Sequence, residues 1–251
     1  MRPLPVIFVL SLGLLRILTF PSVCIAQKSS VKSGKPIWSR QAASLDLSCA
    51  TKEQVIPSPD HLSSVKITCH DGKVESLSVN LHMAASGQDF EVPLNFSAEE
   101  LLWAPNSRAF FVNGGMSGYA GFFVSIYILD AERGIQEVTI TDKAQMNMVE
   151  SFPPCRAWRI DRNCDEVAKN PEYNMSGLAW TLDSSAIYVV AEVPCSSSYG
   201  GIMCQALGYE LAVPDGRILS RLSAREAKKQ WGKYAAWTIR VPDPPRYDPA
   251  M

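Results

Sequence analysis

Hydrophobic and polar residues alternate with a period of two over much of the chain. Val65, Ile67 and Cys69 interleave with Lys66, Thr68 and His70, and Leu77, Val79 and Leu81 interleave with Ser76, Ser78 and Asn80. Asp71-Gly72 lies between the runs and tolerates the positive φ of a tight turn, so a β-hairpin is predicted there. A short strand is expected near Phe90 to Leu94. Phe110 to Val112 and Phe122 to Leu129 form a further pair through a glycine-rich loop, and Ile135 to Thr141 returns after a turn at Asp130 to Gly134. Ala186 to Val193 and Leu207 to Val213 repeat that arrangement, with Pro214-Asp215-Gly216 as the next turn. One helix is predicted. Ser223 and Glu226 stand at capping-box spacing, Ala227 and Trp231 follow on one face, and Gly232 marks the end. Tyr234 to Val241 reads as a final strand.

The pattern repeats. Trp103-Ala-Pro-Asn106-Ser107-Arg-Ala109-Phe-Phe-Val112 aligns with Trp180-Thr-Leu-Asp183-Ser184-Ser-Ala186-Ile-Tyr-Val189 at an offset of 77. Ser117-Gly-Tyr119-Ala-Gly121 matches Ser197-Ser-Tyr199-Gly-Gly201 at 80, and Gly134 and Gly216 mark equivalent turns at 82. A degenerate earlier copy starts at Pro57-Ser58-Pro59-Asp60, offset by 46 from Trp103. In each copy a Trp or its substitute ends one strand, a polar turn reverses the chain, and an apolar strand leaves. Each predicted unit is a four-stranded antiparallel sheet that must stack on a neighbour to complete a core. Trp103 and Trp180 are expected to be core anchors.

These residues resemble the WD40-like repeats of TolB-type (PD40-type) β-propeller proteins, whose repeat reads Trp-Ser-Pro-Asp-Gly followed by a strand. The match is partial and degenerate and covers about residues 55–220. It implies a propeller-like, periplasmic or secreted protein-interaction platform and carries over no catalytic residue. The expected fold is therefore all-β, with three propeller-like four-stranded antiparallel units and a short C-terminal helix. Three units fall short of the roughly four to eight blades of a closed propeller. A partial or open propeller, completion by a second copy as a homo-oligomer, and a β-sandwich built of the same units all remain open at this stage.

The ends differ from this core. Residues 1–26 read as a signal peptide: Arg2, an apolar stretch from Val6 to Leu15, then Cys24-Ile25-Ala26 before Gln27. Arg16 interrupts the apolar run, so there is no span of about 20 apolar residues; an uncleaved N-terminal anchor is the alternative. Residues 27–37 read as a flexible linker, 38–240 as a single β-rich domain with an inserted loop over 143–173, and 241–251 as a proline-rich tail.

Composition adds the compartment. The chain has 251 residues, 47% hydrophobic and 20% charged, which excludes a largely disordered protein. Loss of Arg2 and Arg16 with the leader takes the basic residues from 24 to 22 against 25 acidic, a net charge of -3. That balance argues against a nucleic-acid partner. Loss of Cys24 leaves six of the seven cysteines. Export with an even count implies disulfides. Spacing favours the local pairs Cys49–Cys69, Cys155–Cys164 and Cys195–Cys204, each worth about 3 kcal/mol in the chain-entropy model. Zinc is the other use of such cysteines, but no Cys-x-x-Cys occurs and His61, His70 and His82 stand at no ligand spacing to them. No cofactor or metal is expected.

Three segments are candidates for function. The loops 113–121 and 196–201 present Tyr119 and Tyr199 among serines and glycines, a composition suited to contact surfaces but also to ordinary turns. The segment Cys155-Arg156-Ala-Trp158-Arg159-Ile-Asp161-Arg162-Asn-Cys164 puts three Arg and a Trp into one loop, which suits an acidic or carbohydrate partner or, more plainly, a braced surface. The binding residues expected are Tyr119, Tyr199, Arg156, Trp158 and Arg159. His61, His70 and His82 near Asp60 and Asp71 read as surface residues rather than a hydrolytic pair. Asn95-Phe-Ser97 and Asn174-Met-Ser176 fit the glycosylation sequon. The expected role is an exported, non-catalytic binding or scaffold protein, periplasmic or extracellular. Its partner would be another protein or an envelope component, with no membrane span after signal cleavage. The alternative is a secreted hydrolase or an enzyme inhibitor acting through the 155–164 loop.

Overall fold

A computed structural model describes residues 38–46, 48–71, 73–81, 88–91, 98–115, 121–130, 133–152, 172–195, 199, 202–236 and 238–241. The predicted signal peptide, the linker 27–37, the Cys155–Cys164 segment, Tyr119 and the tail beyond Val241 lie outside them. The described chain is mostly β and antiparallel throughout.

Three sheets follow one another in sequence. The first is β2 (Glu53–Pro57), β3 (Ser63–His70), β4 (Lys73–Leu81) and β5 (Gln88–Glu91), paired in that order. The second is β6 (Ala98–Trp103), β7 (Ala109–Gly115), β8 (Phe122–Asp130) and β9 (Gly134–Val138), with β1 (Ala43–Ser44) added outside β6. The third is β10 (Asn174–Trp180), β11 (Ala186–Glu192), β12 (Ala206–Ala212) and β13 (Ile218–Ser223). The hairpin predicted around Asp71-Gly72 is β3–β4, with His70 opposite Lys73.

Burial patterns explain the strand sequences. In β3 Ser63, Val65 and Ile67 are buried, while Ser64, Lys66 and Thr68 between and after them are half-buried, so the other face of the first sheet meets solvent. Strand β7 is buried on both faces. Phe110 and Val112 join Ile56, Val65, Ile67 and Trp103 in one apolar cluster, while Phe111 joins a second cluster with Trp180, Ile187 and Val189. The continuous apolar run Ala109 to Val112 is what a sheet packed on both sides requires. Strand β11 divides in the same way. Ile187, Val189 and Ala191 face the second sheet, and Tyr188 and Val190 face Ala227 and Trp231 of the C-terminal helix. No apolar cluster among the described residues joins the first sheet to the third, and these residues form no closed ring.

The 46 and 77 offsets are visible in backbone geometry. His61, Ser107 and Ser184 hold φ near +60° (60°, 60° and 61°). The same backbone bond closes each turn: Ser58 N–H to Ser63 O, Ala104 N–H to Ala109 O, Thr181 N–H to Ala186 O, at 2.8, 2.8 and 2.9 Å. An Asp or Asn oxygen at the equivalent positions 60, 106 and 183 accepts from the N–H two residues on. The same two links recur at both boundaries between neighbouring sheets. Trp103 Nε1 donates to Ile56 O and Trp180 Nε1 to Leu102 O, both at 3.1 Å. Asp60 N–H donates to Ser107 Oγ at 3.1 Å and Asn106 N–H to Ser184 Oγ at 3.0 Å.

Helix α1 (Asp142–Ser151) corrects the expectation of a loop over 143–173: its first residues are helical. Ala144 and Met148, one turn apart, are fully buried in the cluster between the second and third sheets, and Asn147 Oδ1 accepts from Tyr209 OH at 2.9 Å. A weakly apolar run is held helical by that packing rather than by its own pattern. Helix α2 (Ala224–Trp231) starts at the predicted capping box and seals the outer face of the third sheet. Gly208 makes this approach fit: a Cβ there would stand 2.4 Å from the Trp231 ring and 2.8 Å from Ala227 Cβ.

The final strand expected over Tyr234 to Val241 is absent from the described residues. One bridge, Ser39 to Ala235, stands in its place. Ala235 and Ile239 both turn into the cluster under α2, and among the described residues this segment pairs with no strand beyond that single bridge.

Candidate functional site

The short turns after β2, β6 and β10 lie at one end of their sheets, and the connections β7 to β8, β9 to β10 and β11 to β12 leave from the other. At this loop end the flanks of three segments meet. Strands β7 and β8 finish with Gly115 opposite Phe122, bounding residues 116–120. Phe122 N–H donates to Asn174 Oδ1 at 3.1 Å, which ties that flank to the start of β10. Tyr173 OH donates to Phe152 O at 2.8 Å, so the two flanks of residues 153–171 are bonded to each other. Tyr199 OH donates to Glu172 O at 2.6 Å, and its ring lies 6.3 Å from that of Tyr173. The connection between β11 and β12 therefore joins the same group.

Tyr199 was expected as an exposed contact residue. It is buried, at 8% exposure, and burial raises its phenol above the ordinary range. Both its ring and its hydroxyl are engaged inside the protein, by Tyr173 and by Glu172 O. Tyr119, Arg156, Trp158, Arg159, Cys155 and Cys164 lie outside the described residues, and the first four belong to the segments whose flanks converge here. Trp103 and Trp180 are buried as expected. His61 and His70 are exposed and separate, with His70 against Asp71 at 3.4 Å, and His82 lies outside the described residues. Asn174 is committed to the Phe122 amide, and Met175 and Ser176 of its sequon are buried in β10.

Cys49–Cys69 and Cys195–Cys204 are disulfides, as the spacing suggested. The second sits at the loop end beside two charged groups. Glu192, the last residue of β11, has a side chain only 11% exposed, and its Oε1 lies 3.0 Å from Cys195 Sγ. Arg240 Nη1 donates to Cys195 Sγ at 2.6 Å and lies 3.8 Å from both Cys204 Sγ and Glu192 Oε1. Ile239, the residue before Arg240, is fully buried in the cluster under α2. Burial pushes the Glu192 carboxyl up to about 7, and the Arg240 guanidinium offsets part of that rise. The ligand atoms of Glu192, Cys195 and Cys204 lie within 4.8 Å of one another, but the two sulfurs are bonded to each other and do not serve as thiolate ligands.

A second polar cluster pins the inner edges of the sheets. Glu100 Oε1 accepts from Ser39 N–H at 2.8 Å and Asn113 Nδ2 at 2.6 Å. Asn113 also bonds both backbone groups of Gly177, at 2.7 and 2.8 Å, and Ser39 Oγ donates to Leu178 O at 2.7 Å. Sequence reasoning paired Cys195 with Cys204 but singled out neither Glu192 and Arg240 beside them nor the Glu100–Asn113 cluster. The available signal was an acid or amide inside a buried strand, Glu192 after Ala186 to Ala191 and Asn113 after Ala109 to Val112.

No protein-family model matches the chain, and no curated protein is significantly similar to it. No helix among the described residues is long and apolar enough to cross a membrane.

Proposed function

We propose that this chain is an exported, non-catalytic binding or scaffold protein: an open stack of three propeller-like units that presents its loop end to a partner. The observation that carries the reading is the convergence there of the flanks of 116–120, 153–171 and 196–201, through Phe122–Asn174, Tyr173–Phe152 and Tyr199–Glu172. These are the segments that hold Tyr119, Arg156, Trp158 and Arg159. A rigid scaffold carrying adjacent loops is a common way to build a recognition surface. Two further features support an open stack that ends at three units. The first sheet turns Ser64, Lys66 and Thr68 outwards, and α2 covers the third, so each terminal face is finished as in other repeat arrays. Disulfides fit an exported protein. The expected partner is another protein or an envelope component.

The test compares two sets of substitutions in capture of a partner from the source organism's exported fraction. Tyr119→Ala and the triple change Arg156→Ala, Trp158→Ala, Arg159→Ala should reduce capture at unchanged thermal midpoint. Leu182→Ala and Arg217→Ala, exposed at the opposite end, should leave it intact. Equal loss in both sets, or none in the first, would reject the reading.

A further inference from the structure

We propose that Cys195–Cys204 is an exchangeable disulfide, opened by an external dithiol with Cys195 as leaving group, Arg240 as thiolate partner and Glu192 as proton donor. The inference is independent of the binding reading. It starts from an asymmetry between the two described bridges. Cys49–Cys69 ties the segment before β2 to β3, and Asp46, three residues before Cys49, directs its carboxylate to Ser48, Ala50 and Thr51. Cys195–Cys204 instead has a guanidinium on one sulfur and a buried carboxyl on the same sulfur, at 2.6 and 3.0 Å.

That arrangement suits thiol exchange. A sulfur leaves faster when its thiolate is stabilised, and a neighbouring cation stabilises it. Arg240 stands against Cys195 and 3.8 Å from Cys204, so attack at Cys204 with departure of Cys195 is favoured. Both cysteines are half-buried rather than sealed in the core. Among the described residues, the groups facing Glu192 are Arg240 from the C-terminal segment, the disulfide itself, and uncharged Asn174 opposite it on β10. A carboxyl titrating near neutrality can carry a proton to the departing sulfur.

The step balances. A dithiol reductant attacks Cys204 Sγ as its monothiolate, forming a mixed disulfide. The Cys195–Cys204 bond breaks and its electron pair stays on Cys195 beside Arg240. Glu192 gives its proton to Cys195 and is left as a carboxylate next to the guanidinium. The second thiol of the reductant, as its thiolate, then displaces Cys204, which takes a proton from water. The reductant leaves as its own disulfide, and two electrons and two protons have passed to the bridge.

The experiment uses the full exported chain and dithiothreitol as probe, with alkylation of free thiols and peptide mapping. Cys195–Cys204 should open at dithiol concentrations that leave Cys49–Cys69 intact. The rate constant per external thiolate should fall as pH rises through about 7 in the native chain and stay flat in Glu192→Gln. Arg240→Ala should slow opening about tenfold, the effect of about two units in leaving-group pKa at a Brønsted slope of about 0.5, with Arg240→Lys recovering much of it. A merely structural role for Arg240 would shift thermal stability and leave the rate per thiolate unchanged. Co-reduction of both bridges, or unaltered rates and pH profile in the Glu192 and Arg240 variants, would overturn the proposal.

Discussion

Trp180→Phe tests the link between the second and third sheets. The indole is 7% exposed, donates to Leu102 O at 3.1 Å, and stacks near Phe111 with centroids 6.1 Å apart. Phenylalanine removes the donor and leaves the Leu102 carbonyl unpaired there, a cost of about 1 kcal/mol. The smaller ring also gives up apolar area and leaves a gap, about 1–2 kcal/mol more. The total of about 2–3 kcal/mol should lower the urea midpoint by about 1 M at a slope near 2 kcal/mol/M. Trp103 occupies the equivalent place one sheet earlier, 6% exposed and bonded to Ile56 O at the same 3.1 Å, so Trp103→Phe should cost about as much. Exposed Leu182→Ala serves as the control and should change stability by less than about 0.5 kcal/mol. A shift below about 0.25 M for either tryptophan would refute the equivalence of the two boundaries.

Three other outcomes follow from the same geometry. Glu192 keeps a proton in the native state that the unfolded chain releases, so stability should fall by about 3 kcal/mol as pH rises from the ordinary value of 4.5 to about 7 and level off above it; Glu192→Gln should flatten that slope in pH-dependent urea titrations. Asn113→Ala strands both backbone groups of Gly177 and one bond of Glu100, and should cost about 3 kcal/mol in the same assay. Gly208→Ala drives a methyl into Trp231 and should displace α2, costing about 1–3 kcal/mol and increasing amide exchange over 224–231 while β7 stays protected.

Much of the sheet pattern was legible because strands carry their burial in their alternation. Val65 and Ile67 with Ser64 and Lys66 announce a half-solvated sheet, and Ala109 to Val112 announces one covered on both sides. The repeated turn was legible because only certain residues suit its geometry: an acid or amide to accept the later N–H, and a residue that accepts φ near +60°. The capping box at Ser223 is short-range chemistry and was equally readable. Helix α1 was not, because Ala144 and Met148 gain their apolar partners only when two sheets close around them. Tyr199 misled for the same reason. Its serine and glycine neighbours suggest a surface, while the carbonyl it bonds and the ring it meets come from Glu172 and Tyr173, remote in sequence. The Glu192–Arg240 pair spans a long stretch of chain, and no local spacing encodes it.

The most direct measurement of the central claim is photo-crosslinking from single positions in the full chain, in the source organism's exported fraction. A crosslinker at Tyr119 or Trp158 should capture one and the same partner, and a crosslinker at Leu182 or Arg217, at the opposite end of the sheets, should not. Equal labelling from both ends, or different proteins captured from Tyr119 and from Trp158, would contradict a single loop-end binding face.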